Sequence, residues 1–247
     1  MRPLIPPRLR QALKALPGAV WAVRFVRSLI MPQERALRRI RARLPGQLLQ
    51  PSMITAPDRY PEFFGFVAGK LAGVEAPALL SFGCSSGEEV LSLRDLLPGA
   101  EILGIDINPL AIAACEARIA GLPPDPRIRF ACQGTAAGLA DASFDAIFCM
   151  AVLRHGELQA SRPGRCDGVL PFAQAERTAT ELARCLKPGG YLVIWNCHFR
   201  FADMAPAANF EIVLRSEEGR WANQPLYGPD NCIMPAATCC AAIFRKR

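Results

Sequence analysis

The feature that most constrains this chain is a glycine turn between a buried strand and a helix. Residues 76–82 (APALLSF) form an apolar run typical of a strand that is covered on both faces. Gly83 and Gly87 follow, and a helix is predicted from Glu88 to Leu97. Glycines let the backbone approach a ligand closely, and a helix N-terminus offers unpaired N–H groups. The pattern predicts a ligand-binding turn in an α/β fold.

A carboxylate closes the next predicted strand. The run Glu101–Ile107 (EILGIDI) contains Asp106, nineteen residues after Gly87. In a nucleotide-binding sheet, an acid at this position accepts hydrogen bonds from ribose hydroxyls. The alternative is an ordinary tight turn followed by a surface aspartate. Turn, acid and strand order together favour the nucleotide site.

Short apolar strands and helices alternate from residue 76 onward. Further strands are predicted at 127–132, 144–150, 191–197, 210–215 and 241–245. Helices are predicted at 62–71, at 109–118 after an Asn108 cap, and at 172–186. The prediction is a Rossmann-like α/β fold, with a mostly parallel seven-stranded sheet, an antiparallel final strand and helices on both faces.

The motifs along residues 60–200 resemble those of class I S-adenosylmethionine-dependent methyltransferases. Residues 83–89 (GCSSGEE) are especially similar to the first motif of chemotaxis-receptor methyltransferases. Residues 104–106 (GID), 144–150 (FDAIFCM) and 186–190 (LKPGG) then follow in the family's order. The resemblance implies S-adenosylmethionine as the cofactor and methyl transfer as the activity.

The resemblance also implies residue roles. The turn would hold the methionine end of the cofactor, Asp106 the ribose, Ile107 the adenine ring and Gln133 the adenine amino group. Ser81 stands where many members carry an acid, so Glu88 or Glu89 would contact the cofactor's amino group. The predicted cofactor-binding residues are Phe82, Gly83, Cys84, Ser85, Ser86, Gly87, Glu88, Glu89, Asp106, Ile107, Gln133, Gly134, Met150 and Ala151.

The acceptor is expected beyond the fourth and fifth strands. His155 follows the fourth strand and could deprotonate an acceptor hydroxyl or amine, although a packing role is the alternative. The polar segment 156–171 is predicted to be a loop that covers the substrate. Predicted substrate-binding residues are Arg154, Asn196, His198 and Tyr227, with Asp230 and Asn231 as further contributors.

Other functions fit parts of the same turn. Gly83, Ser85 and Gly87 match the nucleophile elbow of a serine hydrolase, which would recruit His198. The turn lacks the G-x-G-x-x-G spacing of a nicotinamide dehydrogenase. A non-catalytic adenosyl-binding protein is a further alternative. The hydrolase and the dehydrogenase do not explain Asp106 and the later motifs as well as methyl transfer does, and the non-catalytic alternative stays open.

Basic charge is concentrated at the N-terminus. Residues 1–45 hold eleven Arg or Lys and one acid, whereas the rest holds 18 basic and 21 acidic residues. Helices are predicted at 20–31 and 33–44, so we divide the chain into a basic helical arm, residues 1–50, and a methyltransferase domain, residues 51–247. The predicted acceptor is a small molecule; with an RNA or protein acceptor, the arm would recognise it. The arm could equally contact a membrane surface or a second subunit.

The ten cysteines contain no CxxC pair and lie mostly in apolar runs, which favours core positions in a reducing cytoplasm. The adjacent Cys239 and Cys240 are predicted to be buried. With two histidines in the chain, no metal is expected.

Residues 19–31 are too short and too charged to span a bilayer. An Arg-rich organellar presequence is the alternative, which the scarcity of Ser and Thr disfavours. The predicted location is cytoplasmic, or peripheral to the membrane through the arm.

Overall fold

A computed structural model describes residues 31–216, 224–234 and 239–247. The sheet has seven strands in the order β3-β2-β1-β4-β5-β7-β6. Strands β1 to β5 are mutually parallel, and β7 runs antiparallel between β5 and β6. The predicted fold class, including the antiparallel last strand, is confirmed. The strands are β1 Ala78–Phe82, β2 Glu101–Asp106, β3 Ile128–Cys132, β4 Phe144–Met150, β5 Leu186–Trp195, β6 Phe210–Arg215 and β7 Ala241–Lys246.

Six α-helices accompany these strands in the described ranges. They are α1 Pro32–Arg43, α2 Pro61–Leu71, α3 Glu88–Leu96, α4 Pro109–Ile119, α5 Gly156–Ser161 and α6 Phe172–Cys185. Asn108 caps α4 by accepting a hydrogen bond from the Leu110 N–H at 3.0 Å, as predicted. Proline at the first position starts α1, α2 and α4, where its missing N–H is not needed.

Both faces of the sheet carry a hydrophobic core. Leu79 lies in the cluster with α2, α3 and α4, whereas its neighbour Leu80 points to the opposite cluster with α6. Successive strand residues alternate between faces, so a strand buried on both sides must be apolar throughout. This explains the continuous apolar run that predicted β1.

The described part of the basic arm packs on the domain. Helix α1 buries Ala36, Leu37 and Ile40 and lies against α4. Leu49 joins the core cluster that contains α6, and the Gln174 side chain donates to the Gly46 carbonyl. Residues 31–50 are therefore continuous with the fold. The predicted helix at 20–31 lies outside the described residues, apart from its last position.

Three local predictions are corrected. The predicted loop 156–171 begins with the short helix α5, which His155 caps. Cys240 is exposed and Cys239 is half-buried, because both residues precede the first residue of β7 rather than lying within the strand. Cys132, at the end of the edge strand β3, is also exposed. In the described ranges, every helix is too short or too polar to cross a membrane.

Candidate cofactor and acceptor site

A crevice lies at the carboxyl ends of β1, β2 and β4, and it encloses about 820 Å³ of space, including its open mouth. The strand order reverses between β1 and β4, and open α/β sheets bind ligands at this point. Most of the predicted cofactor residues line the crevice: Phe82, Gly83, Cys84, Ser85, Glu89, Asp106, Ile107, Gln133, Gly134, Met150 and Ala151. Ser86, Gly87 and Glu88 are not part of its wall.

The glycine turn requires its glycines for two reasons. Gly83 has φ 75°, and a Cβ there would lie 2.5 Å from Cγ2 of Val152. Gly87 has φ 86° and caps α3, where a Cβ would lie 3.2 Å from the sulfur of Cys115. A side chain at either position would be strained and crowded. The turn between them also holds Ser85 at φ 52°, which brings the backbone to the crevice.

Asp106 is fixed by the backbone around it. Its carboxylate accepts hydrogen bonds from the N–H groups of Ser85 at 3.0 Å and Asn108 at 2.8 Å. Burial raises the pKa of this carboxyl, and the two hydrogen bonds oppose the shift. A carboxylate offers about four acceptor positions, so two bonds leave capacity for hydroxyl donors in the crevice.

The two acids at the start of α3 have different environments. Glu88 is buried away from the crevice and accepts from Arg118 at 2.6 Å and from Ser86. Glu89 lines the crevice and accepts from the Ser81 hydroxyl at 2.7 Å. Burial raises the pKa of Glu89 to about 7, against the Ser81 hydrogen bond and the charge of Arg59. Of the two predicted partners for an ammonium group, the geometry therefore favours Glu89.

Gln133, Gly134 and Ile107 form the wall beyond Asp106. The Gln133 amide nitrogen donates to the Thr135 carbonyl at 3.1 Å, which leaves its amide oxygen as an acceptor. A Cβ on Gly134 would lie 2.6 Å from Ile107 Cδ1, so the glycine leaves room for the isoleucine side chain. This corner combines an apolar surface with one hydrogen-bond acceptor, which matches the predicted adenine contacts.

The N-terminal side of the crevice was not predicted from the sequence. Gln47, Leu49 and Gln50 line it from the segment after α1, and Arg59 and Tyr60 line it from the start of α2. The Arg59 guanidinium donates to the Ile54 carbonyl at 3.1 Å and lies 5.2 Å from the centre of the Tyr60 ring. The motif pattern gave no signal for these residues because their position depends on tertiary packing.

A polar network joins the crevice to the ends of β4 and β5. Asn196 is buried, and its amide oxygen accepts from Arg154 at 2.6 Å and from Gln224 at 2.9 Å. Its amide nitrogen donates to the Tyr60 hydroxyl at 2.8 Å. Burial lowers the pKa of Arg154. Arg154 and Asn196 therefore reach the crevice through Tyr60, rather than by lining it.

His155 has a structural role at the end of β4. Its Nδ1 accepts a hydrogen bond from the Glu157 N–H at 3.2 Å and so caps α5. The neutral ring then carries its proton on Nε2, which leaves no free lone pair for a base. Burial lowers the pKa of His155, and the ring is not part of the crevice wall. The predicted base role is not favoured by this geometry.

The other predicted acceptor residues lie elsewhere. His198 is fully buried, its ring nitrogens face the carbonyls of Pro225 and His155, and burial lowers its pKa to about 4. Tyr227 is also fully buried and donates to the Pro163 carbonyl at 3.0 Å. Asp230 and Asn231 accept from nearby backbone N–H groups. These four residues hold the final loops together.

The hydrolase alternative finds no support in the described residues. The Ser85 hydroxyl donates to the Met53 carbonyl at 3.0 Å. Neither His155 nor His198 is bonded to it, because their ring nitrogens face other partners. The described residues also include no cluster of three or more His, Cys, Asp or Glu able to hold a metal ion.

Known proteins are similar in sequence to the central part of this chain. Residues 80–194 match the family described as "Methyltransferase domain". A demethylmenaquinone methyltransferase from Thermus thermophilus is 33% identical over 128 residues, which cover 50% of this chain and 49% of that protein. A ubiquinone biosynthesis O-methyltransferase from Alkalilimnicola ehrlichii is 30% identical over 139 residues, which cover 55% and 48%. The chain thus spans about half the length of the curated relatives it matches.

A solved structure, the YcgJ protein from Bacillus subtilis, is similar at 20% identity with a TM-score of 0.41, covering 57% of this chain and 52% of that one. The sheet order is that of a Rossmann-like fold, and residues 80–194 are similar to methyltransferase domains. The match to the methyltransferase domain includes the glycine turn and Asp106.

Proposed function

We propose that this protein binds S-adenosylmethionine in the crevice and transfers its methyl group to the oxygen or nitrogen of a small molecule. The observation that carries the proposal is a pair of carboxylates in one crevice. Asp106 is held by two backbone N–H groups, while Glu89 has a pKa raised to about 7 and no ion-pair partner in the described part of the chain. A ribose diol and an ammonium group are the ligands these two acids suit.

The remaining wall suits the same cofactor. Arg59 lines the same crevice as Glu89, and it can bind the carboxylate of the methionine end. The Gln133 amide oxygen can accept from the adenine amino group, with Ile107 against the ring. Gly83 has no side chain, so the cofactor can approach the backbone of the turn at this position.

The cofactor supplies a methyl group that its sulfonium already activates, so the protein has to align the acceptor and exclude water. Phe64, Met150 and Val152 supply apolar walls for this purpose. The Tyr60 hydroxyl is oriented by Asn196, and Arg154 adds a positive charge behind it. These groups would hold an acceptor and stabilise negative charge that develops when its hydroxyl loses a proton.

The names of the relatives support a quinone-related compound as the acceptor. Their printed names refer to demethylmenaquinone methylation and to O-methylation in ubiquinone biosynthesis. The crevice also lies at the strand tips where open α/β sheets bind small ligands. We therefore infer a hydroquinone or related phenol as the first acceptor class to test.

The test has two parts. Calorimetric titration should show binding of S-adenosylmethionine and of its demethylated product, and Glu89→Gln should weaken it. Glu88→Gln is the matched control, because that acid is paired with Arg118 outside the crevice. Transfer of a tritiated methyl group should then be followed with reduced benzoquinones and naphthoquinones that carry short isoprenoid chains. Absence of cofactor binding would overturn the whole proposal, whereas binding without transfer to any quinol would overturn only the acceptor.

A further inference from the structure

Helix α1 has a strongly basic outer face. Its buried side consists of Ala36, Leu37 and Ile40. The rest of its surface carries exposed arginines, which we call the basic face: Arg35, Arg38, Arg39, Arg41 and Arg43. Among the residues that the structure describes, none of these arginines forms a salt bridge, although ion pairs occur elsewhere on the surface. The face therefore offers concentrated positive charge to an external partner.

An exposed apolar side chain lies on the same side of the molecule. Ile54 is 81% exposed and lines the mouth of the crevice. Its neighbour Met53 accepts a hydrogen bond from the Asn108 side chain at the start of α4, and α1 lies against α4. Leu110, in the first turn of α4, is also exposed. The helix that carries the basic face leads into Gln47 and Leu49 of the crevice wall, and Ile54 lies at the crevice mouth.

We propose that this side of the protein binds the surface of an anionic lipid bilayer, with the crevice mouth turned toward the membrane. Arginine guanidinium groups bind lipid phosphates, and an apolar side chain at the rim enters the boundary between headgroups and acyl chains. Each basic residue near an anionic surface contributes about 1 kcal/mol. Residues 1–30 hold six further basic residues and no acid.

A lipid surface explains the rim better than a nucleic acid does. Proteins that bind single-stranded RNA stack bases on exposed aromatic rings. The exposed large hydrophobic residues in the described ranges are Ile, Val and Leu, with no aromatic residue among them. The location also fits an acceptor that dissolves in membranes, because such a compound could enter the crevice without crossing water. The docking itself does not depend on which acceptor is methylated.

Vesicle flotation of the full chain tests the proposal. Binding is expected to vesicles with about one third phosphatidylglycerol and not to pure phosphatidylcholine. It should decrease steeply when salt rises from about 0.1 M to about 0.5 M. The double variant Arg38→Gln/Arg39→Gln should lower the partition constant by about 30-fold, the value for two lost contributions of about 1 kcal/mol each.

The matched control is Arg129→Gln/Arg177→Gln, which removes two exposed arginines on β3 and α6 and should keep the partition constant within about twofold. Ile54→Ser should lower the partition constant by about threefold, while Leu122→Ser, the same kind of change at another exposed site, should not.

Equal losses in the test and control variants would overturn the proposal. So would binding to neutral vesicles alone, or binding to a polyuridylate probe without binding to vesicles. Calorimetry with S-adenosylmethionine should give the same affinity for both arginine variants, which separates this proposal from the cofactor assignment.

Discussion

The two halves of the crevice are built in different ways. At the tips of β1 and β2, ligand-facing groups are held by nearby backbone, as in the bonds from Ser85 and Asn108 to Asp106. At the tips of β4 and β5, polar side chains hold one another across long stretches of chain. Asn196 bonds to Tyr60, which lies 136 positions earlier, and to Arg154. The first half is therefore held by residues that lie close together in one structural motif, whereas the second depends on residues far apart in the sequence.

Replacing Asp106, the proposed ribose-binding acid, tests the first half most severely. Asp106→Ala should weaken S-adenosylmethionine binding by about 100-fold, because two hydrogen bonds to a charged group contribute about 3 kcal/mol together. The melting temperature without ligand should fall by only a few degrees, since Asp106 is partly exposed at the end of its strand. Titration calorimetry measures the affinity. An unchanged dissociation constant would show that the ribose does not lie at Asp106.

The protonation of Glu89 gives a pH test of the same half. Burial raises its pKa to about 7, so the carboxyl is largely neutral below that pH and cannot hold an ammonium group. The α-amino group of the cofactor loses its own proton above about 8. Affinity should therefore be greatest between these values and should fall by as much as tenfold per unit as the pH decreases below 7.

The Glu89→Gln variant should bind about tenfold more weakly near pH 7.5 and lose the dependence below pH 7. Glu88→Gln should retain the wild-type profile, because its carboxylate is paired with Arg118. Calorimetry in buffers with different ionisation enthalpies should also detect proton release on binding near pH 6.5 to the wild-type protein. A pH profile that is the same in the wild type and Glu89→Gln would contradict the assignment.

Breaking the side-chain network should affect the other half alone. Asn196→Ala leaves the buried groups of Arg154 and Gln224 without their acceptor, so the free energy of unfolding should fall by about 2 kcal/mol. Methyl transfer should also slow, while the cofactor dissociation constant stays within about twofold. Asn209→Ala, at an exposed position, is the control and should change stability by less than about 0.5 kcal/mol. A large loss of cofactor affinity in Asn196→Ala would show that the two halves are coupled.

The same contrast explains what the sequence could predict. A strand, a turn with required glycines at 83 and 87, and an acid at the next strand tip are local patterns, and each follows from backbone geometry. They sufficed for the sheet, including its antiparallel last strand, and for most of the predicted crevice wall. Arg59 and Tyr60 had no such signal, because they reach the crevice only when α2 packs on the sheet.

The positions of the two histidines in the sequence do not reveal their hydrogen-bond partners. His155 and His198 follow strand tips, where reactive groups often lie, but their ring nitrogens face backbone groups. Histidine is not among the residues preferred as helix caps, so the sequence gave little sign of the cap at α5. Hydrogen-bond partners that lie far apart in the sequence decide which polar residues remain available to a ligand.

The smallest effect on turnover is expected for substitutions of His155, where a helix-capping role and a general-base role predict clearly different results. As a helix cap, His155 should be replaceable by asparagine, which is a preferred capping residue. His155→Asn should therefore keep both stability and turnover, whereas His155→Ala should lower the free energy of unfolding by about 1 kcal/mol and leave turnover within about twofold. A general base would give a different pattern, since both substitutions would slow methyl transfer by about 100-fold or more at unchanged stability of the asparagine variant. Steady-state turnover and denaturant unfolding of the two variants distinguish the roles, because only the cap is restored by asparagine.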